Sequence, residues 1–196
     1  MHKDSCYSVL IVSANEKFNA TLTSFLPKDT YDPVMVAESV SAARRLYGER
    51  KTDLVIVNAP LRDENGIGFA VDVAESSSCG VMLLVKNDYY DEISDKVQDY
   101  GVLTVARPVT TVMMTHALRM LCSTRERLVK LEKKQQTFEE KIKEIKIVNR
   151  AKLLLMENLM LSEEEAHKKI ERTAMDSRKT RLEIAEKIIK EYSETA

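Results

Sequence analysis

After Pro108 the chain contains neither glycine nor proline. Nothing in that stretch forces a turn or breaks a helix, so long helices are expected there. A run of about 18 apolar residues is missing as well, and no membrane span is expected. Met1–Val12 lacks the basic start and long apolar stretch of a secretory signal, which makes cytoplasm the expected compartment. Cys6, Cys79 and Cys122 are odd in number, widely spaced and without metal-ligand spacing. They read as reduced, small apolar residues. His2, His116 and His167 are scattered, and no Ser or Cys has an evident base partner. The sequence therefore carries no signal for an enzyme, a metal or a cofactor.

What is present is uneven. The 196 residues hold 30 Lys+Arg against 31 Asp+Glu, a net charge of −1. Residues 1–122 carry 12 Lys+Arg against 16 Asp+Glu, net −4, whereas residues 141–190 carry 13 against 9, net +4. An acidic front and a basic back suit a polyanion-binding tail, and a solvated helical surface accounts for them equally well. The front alternates two signals. Short Val-, Ile- and Leu-rich runs at Val9–Val12, Val34–Val36, Leu54–Val57, Val81–Val85 and Val102–Ala106 suit strands buried on both faces of a parallel sheet. Helix-length segments separate them at Glu16–Leu26, Ser41–Arg50, Ile67–Ser76 and Tyr89–Tyr100. Five β-then-α units predict a doubly wound α/β domain over residues 1–122.

From Thr110 the strand signal stops. Met114, Ala117, Leu121, Leu128, Leu131, Phe138, Ile142 and Ile145 occupy positions a and d of one heptad frame, interrupted by Thr124 and Gln135. Such a seam reads as a coiled-coil dimerisation helix over 110–145, carried by Leu121, Leu128, Leu131, Phe138, Ile142 and Ile145. A single amphipathic helix packed on its own domain is the alternative. The end of the chain divides at two capping boxes, Ser162 with Glu165 and Thr180 with Glu183. Ile147, Val148, Ala151, Leu154, Leu155 and Leu159 close the long helix. Ala166, Ile170 and Ala174, then Leu182, Ala185, Ile189 and Tyr192, recur with helical spacing. Three helices sharing a small core are expected.

The α/β half resembles a two-component receiver domain, with a flavodoxin-like doubly wound five-stranded parallel sheet. The resemblance rests on its strand sequence, the Asn58-Ala59-Pro60-Leu61 turn with Gly66 beyond it, and Arg107-Pro108 after the last strand. That family implies an acidic pair for magnesium after the first strand, a phosphoacceptor aspartate, a Ser or Thr, and a Lys before Pro. Here those slots hold Ser13 and Ala14, Asn58, Val85 and Arg107. A hard cation needs carboxylate oxygens, and a carboxamide is not a carboxylate nucleophile. A degenerate, phosphorylation-incompetent pseudo-receiver is expected. Asp63 and Glu64 read as solvated loop carboxylates, and Lys86 and Arg107 as surface or core-rim residues, with anion binding in the vacated pocket as the alternative. Either the regulator is constitutive, or a ligand or partner protein docking on this domain replaces the phosphoryl signal.

Four ordered blocks in the last part resemble the ANTAR domain: Asn149–Met156, Ser162–Ala166, Arg172–Asp176 and Glu183–Glu186. That family comprises RNA-binding transcription antiterminators, and the resemblance covers residues 142–192. It implies a dimer that binds paired hairpins in nascent leader mRNA. Candidates for RNA contact are Arg150, Lys152 and Arg172 inside the matched blocks, with Arg178, Lys179 and Arg181 beside them. Guanidinium groups bridge phosphates and stack on unpaired bases. Aromatic platforms are scarce, Tyr192 being the one aromatic after Phe138. Ala151, Ala166, Ala174 and Ala185 suit close helix packing. A dimeric signalling adaptor for partner proteins and a DNA-binding regulator are the rival readings.

Overall fold

The Val-, Ile- and Leu-rich runs become five strands in a computed structural model that describes residues 6–193. They are β1 (Tyr7–Val12), β2 (Tyr31–Ala37), β3 (Leu54–Asn58), β4 (Gly80–Lys86) and β5 (Leu103–Arg107). All pair in parallel, in the order β2-β1-β3-β4-β5, which is a doubly wound topology. Four helices make the crossovers: α1 (Glu16–Ser24), α2 (Val40–Glu49), α3 (Ile67–Ser76) and α4 (Tyr90–Val97). Successive strand residues face opposite ways. Val9, Ile11, Leu54, Ile56, Met82 and Leu84 pack with α1 and the first turns of α5 (Thr111–Leu159). Leu10, Val12, Val55, Val57, Leu83 and Val85 pack with α2, α3 and α4.

Local chemistry sets the helix starts. The Asn15 side chain accepts from the Phe18 amide at 3.0 Å, and Ser39 accepts from Ala42 at 3.1 Å. Gly66 opens α3 with φ of 79°, where a side chain would also meet Val57 Cγ1 at 2.9 Å. α5 runs for 49 residues, as a stretch without breakers allows.

The chain forms two compact units that divide between Glu132 and Lys133, within α5. The first unit keeps more of α5 than the α/β pattern implied. Met114, Leu118 and Leu121 are buried under the sheet. Leu121, 3% exposed, is therefore not a seam residue as the heptad frame had it. Gly80 explains the difference: a Cβ there would lie 3.0 Å from Leu121 Cγ and 3.1 Å from its carbonyl oxygen. The helix backbone approaches β4 that closely because glycine has no side chain. Beyond it, Arg125 pairs with Asp53 with both side chains largely buried, and Glu132 accepts from the Ser78 hydroxyl at 2.5 Å. Leu128, Leu131, Phe138, Ile142 and Ile145 stay exposed.

In the second unit, the last turns of α5 join α6 (Glu163–Ser177) and α7 (Arg181–Ser193). Both capping boxes form. Ser162 Oγ accepts from the Glu165 amide at 3.3 Å and Glu165 accepts from the Ser162 amide at 2.8 Å. Thr180 and Glu183 repeat the exchange at 3.2 and 2.7 Å. The core is Ala151, Leu155, Ala166, Ile170, Ala174, Ile184 and Ala185. Its four alanines bring the helices close, as their positions suggested. No helix among the described residues is long and apolar enough to cross a membrane.

Candidate functional site

Two places bring together several of the residues singled out from sequence, one in each unit. In the first, the carboxyl ends of β1, β3 and β5 bring Ser13, Asn58 and Arg107 into one neighbourhood. Ser13 and Asn58 are buried, and Asn58 Nδ2 donates to Ser13 Oγ at 3.0 Å. The Asn15 amide donates to the same hydroxyl at 3.2 Å. Arg107 Nη2 donates to the Ala59 carbonyl, and burial lowers the guanidinium's pKa from its ordinary value. Ala14 is half-buried beside Ser13. Val85 lines a different cavity, with Ala59, Pro60 and the exposed Lys86.

The hydrogen bond between Ser13 and Asn58 joins two neutral groups where the receiver pattern has carboxylates. Among the described residues, no group of three His, Cys, Asp or Glu side chains is placed to hold a metal ion. Asp63 does something the sequence reading missed. Its Oδ1 accepts from the Val40 amide and its Oδ2 from the Ser41 amide, both at 3.0 Å, with Ser41 Oγ at 3.1 Å. It thus caps α2 from a distant loop rather than standing free in solvent. These bonds, led by the Ser41 amide, lower its pKa from 3.8 to about 2. A cap supplied from 23 residues away leaves no short-range spacing to find.

In the second unit, the turn between α6 and α7 gathers three of the six basic candidates. Arg178, Lys179 and Arg181 line an open depression of about 490 Å³ with Glu171, Ala174 and Met175. Arg178 ends α6 in the left-handed conformation, φ 55°, and its amide donates to the Met175 carbonyl at 3.2 Å. Arg181 reaches Glu171 at 3.5 Å, a long and exposed pairing that costs little to break. Met175 is exposed at the rim, an apolar contact that helical spacing alone did not mark as functional.

The remaining candidates lie elsewhere. Lys152 lines a separate depression with Asn149, Leu153, Met156 and Glu163. Its side chain is only 15% exposed and its ammonium sits 2.8 Å from Glu163, whose pKa the contact lowers. Arg150 is exposed on α5. Arg172, with a side chain 87% exposed, has Asp176 no nearer than 3.9 Å.

Both units have counterparts among known proteins. Residues 136–189 match the ANTAR domain. The chain is 27% identical over 182 residues to the transcriptional regulatory protein PdtaR of Mycobacterium tuberculosis, spanning 92% of this chain and 88% of that protein. The first unit shares its fold with a signal receiver domain of an HD domain-containing protein from Pseudomonas fluorescens. That match has a TM-score of 0.56 and 19% identity, over 64% of this chain and 94% of the other. A response regulator receiver domain protein from Clostridium thermocellum gives a TM-score of 0.55 at 17% identity, over 62% and 98% of the two chains. The receiver domain of the TMAO respiratory regulator TorR gives 0.51 at 24%, over 59% and 95%. Residues 136–189 are thus matched as an ANTAR domain, and the unit ahead of them has the receiver fold.

Proposed function

We propose that this regulator is a cytoplasmic, dimeric RNA-binding antiterminator whose receiver-like unit works without phosphorylation, and that it is not an enzyme. The observation that carries the reading is the cluster of Arg178, Lys179 and Arg181 around one open depression of the ANTAR domain. Three cations at one turn suit a phosphate backbone that bends sharply. The exposed guanidinium planes suit stacking on the unpaired bases of a hairpin loop. Arg150 and Arg172 extend the basic surface. Lys152, bound to Glu163, contributes after that pair opens.

Dimerisation is supported by the exposed apolar series Leu128, Leu131, Phe138, Ile142 and Ile145 on one continuous helix. Two ANTAR domains on one dimer turn the second hairpin contact into an intramolecular event, raising its effective concentration. Paired hairpins held in this way exclude an overlapping terminator stem.

The test is a salt-titrated binding series with a tandem-hairpin leader RNA and a duplex DNA of equal length. Arg178→Ala, Lys179→Ala and Arg181→Ala should each weaken RNA binding. Each phosphate contact removed should make the salt slope shallower by about one. A residue that stacks on a loop base should also lose discrimination against a mutated loop. Arg150→Ala and Arg172→Ala should act in the same direction, and Lys152→Ala more weakly. Equal affinity for duplex DNA would favour a DNA-binding regulator. No nucleic-acid binding by the full chain would favour a protein adaptor.

A further inference from the structure

The first unit has a cavity of about 280 Å³ at the carboxyl ends of its strands, between α1 and the entry to α5. Phe18, Phe25, Val109 and Met114 supply apolar wall, while Asn15, Asn58 and Arg107 supply polar groups. Arg107 is the one charged residue lining it, and forms no ion pair among the described residues. Two polar atoms here lack partners. Asn58 Oδ1 and Arg107 Nε are both buried without a hydrogen bond. Buried polar groups are seldom left so unless something else satisfies them. The location is also where open α/β sheets take ligands: beyond the strand ends, where the strand order reverses between β1 and β3.

We propose that this cavity binds a small amphipathic anion, an apolar body carrying one carboxylate, with Arg107 as the counter-charge. The volume lies at the small end of ligand sites, which suits a single ring or a short acyl chain. A guanidinium prefers a planar carboxylate, and the neutral Ser13 and Asn58 let an anion approach where acidic side chains would repel it. The proposal is independent of the RNA reading, since it concerns only the receiver-like unit.

Phenylacetate serves as the probe, followed by amide-resolved NMR on the full chain. It should give saturable shifts at Asn15, Phe18, Thr21, Val109 and Met114, with a dissociation constant on the order of 1 mM or tighter. Phenylacetamide, which keeps the shape without the charge, should bind about tenfold more weakly. Arg107→Gln should erase that difference. Thr21→Phe, which adds bulk at an exposed lining position and spares the core, should block both compounds. No saturable shift at these amides would overturn the proposal, as would shifts that survive both substitutions. If inorganic phosphate competes equally with phenylacetate, the site takes any anion and the amphipathic assignment fails.

Discussion

Leu121 and Leu131 occupy the same heptad seam by spacing but do different work. Leu121 is 3% exposed under the sheet, whereas Leu131 is 51% exposed. Leu121→Ala should therefore destabilise the receiver-like unit, and Leu131→Ala should not. Truncation removes a buried isopropyl group beside Gly80, which has no side chain to move into the space. A cavity that cannot collapse puts the cost within the usual range for buried leucine, about 3 kcal/mol. The assay is built into the composition. The chain has no tryptophan, and six of its seven tyrosines precede Lys133, so tyrosine fluorescence in urea reports on the first unit. With a denaturant slope of about 2 kcal/mol per molar, the midpoint should fall by about 1.5 M. Leu131→Ala should shift it by less than about 0.3 M. Light scattering should give the converse result. Leu131→Ala combined with Phe138→Ala should weaken the dimer, and Leu121→Ala should leave it. A Leu121→Ala protein that dissociates while keeping its tyrosine transition would refute the division of the helix drawn here.

Two further outcomes are expected. Asp63→Asn should lower the melting temperature near neutral pH. Because the folded-state pKa is depressed, the wild-type advantage is present above about pH 4 and is lost as pH falls toward 2. A gap between the two proteins that stays constant from pH 6 to about pH 3 would argue against the cap. Incubation with acetyl phosphate and magnesium should add no phosphate to the intact chain, since Asn58 bonds to Ser13 and neither is a carboxylate. An acid-labile phosphate adduct mapped to the first unit would contradict this.

Much of this was legible in the sequence because it rests on local signals. The buried strands read as short apolar runs, and the helix starts read as Ser162 with Glu165 and Thr180 with Glu183. The long helix read as a stretch without breakers. What stayed hidden depends on contacts between distant residues. Asp63 caps α2 across a fold contact, so its sequence neighbours mark it only as a loop carboxylate. Leu121 obeys the heptad spacing, but Gly80 decides its fate by letting the helix come close to β4. The basic residues were all visible. Arg178, Lys179 and Arg181 also read as one group from their spacing, whereas the separation of Lys152, in another depression with Glu163, depends on how α6 packs on α5.

Near Arg125 the helix α5 passes from positions buried under the sheet to exposed apolar ones. Arg125 is held by Asp53, whose other oxygen accepts from the Ser8 amide at 2.9 Å, and its guanidinium lies 5.9 Å from the centre of the Tyr7 ring. Leu128, one turn later, is exposed. Leu131 is exposed as well, although Glu132 beside it still accepts from Ser78, so the exposed apolar series begins before the first unit ends. Packed interfaces yield in discrete steps rather than continuous ones, so movement of α5 against the sheet breaks or keeps the Arg125–Asp53 pair as a unit. The cavity beside Arg107 is lined by Val109 and Met114, at the head of this helix. An occupant there would pack directly against Val109 and Met114, at the head of α5.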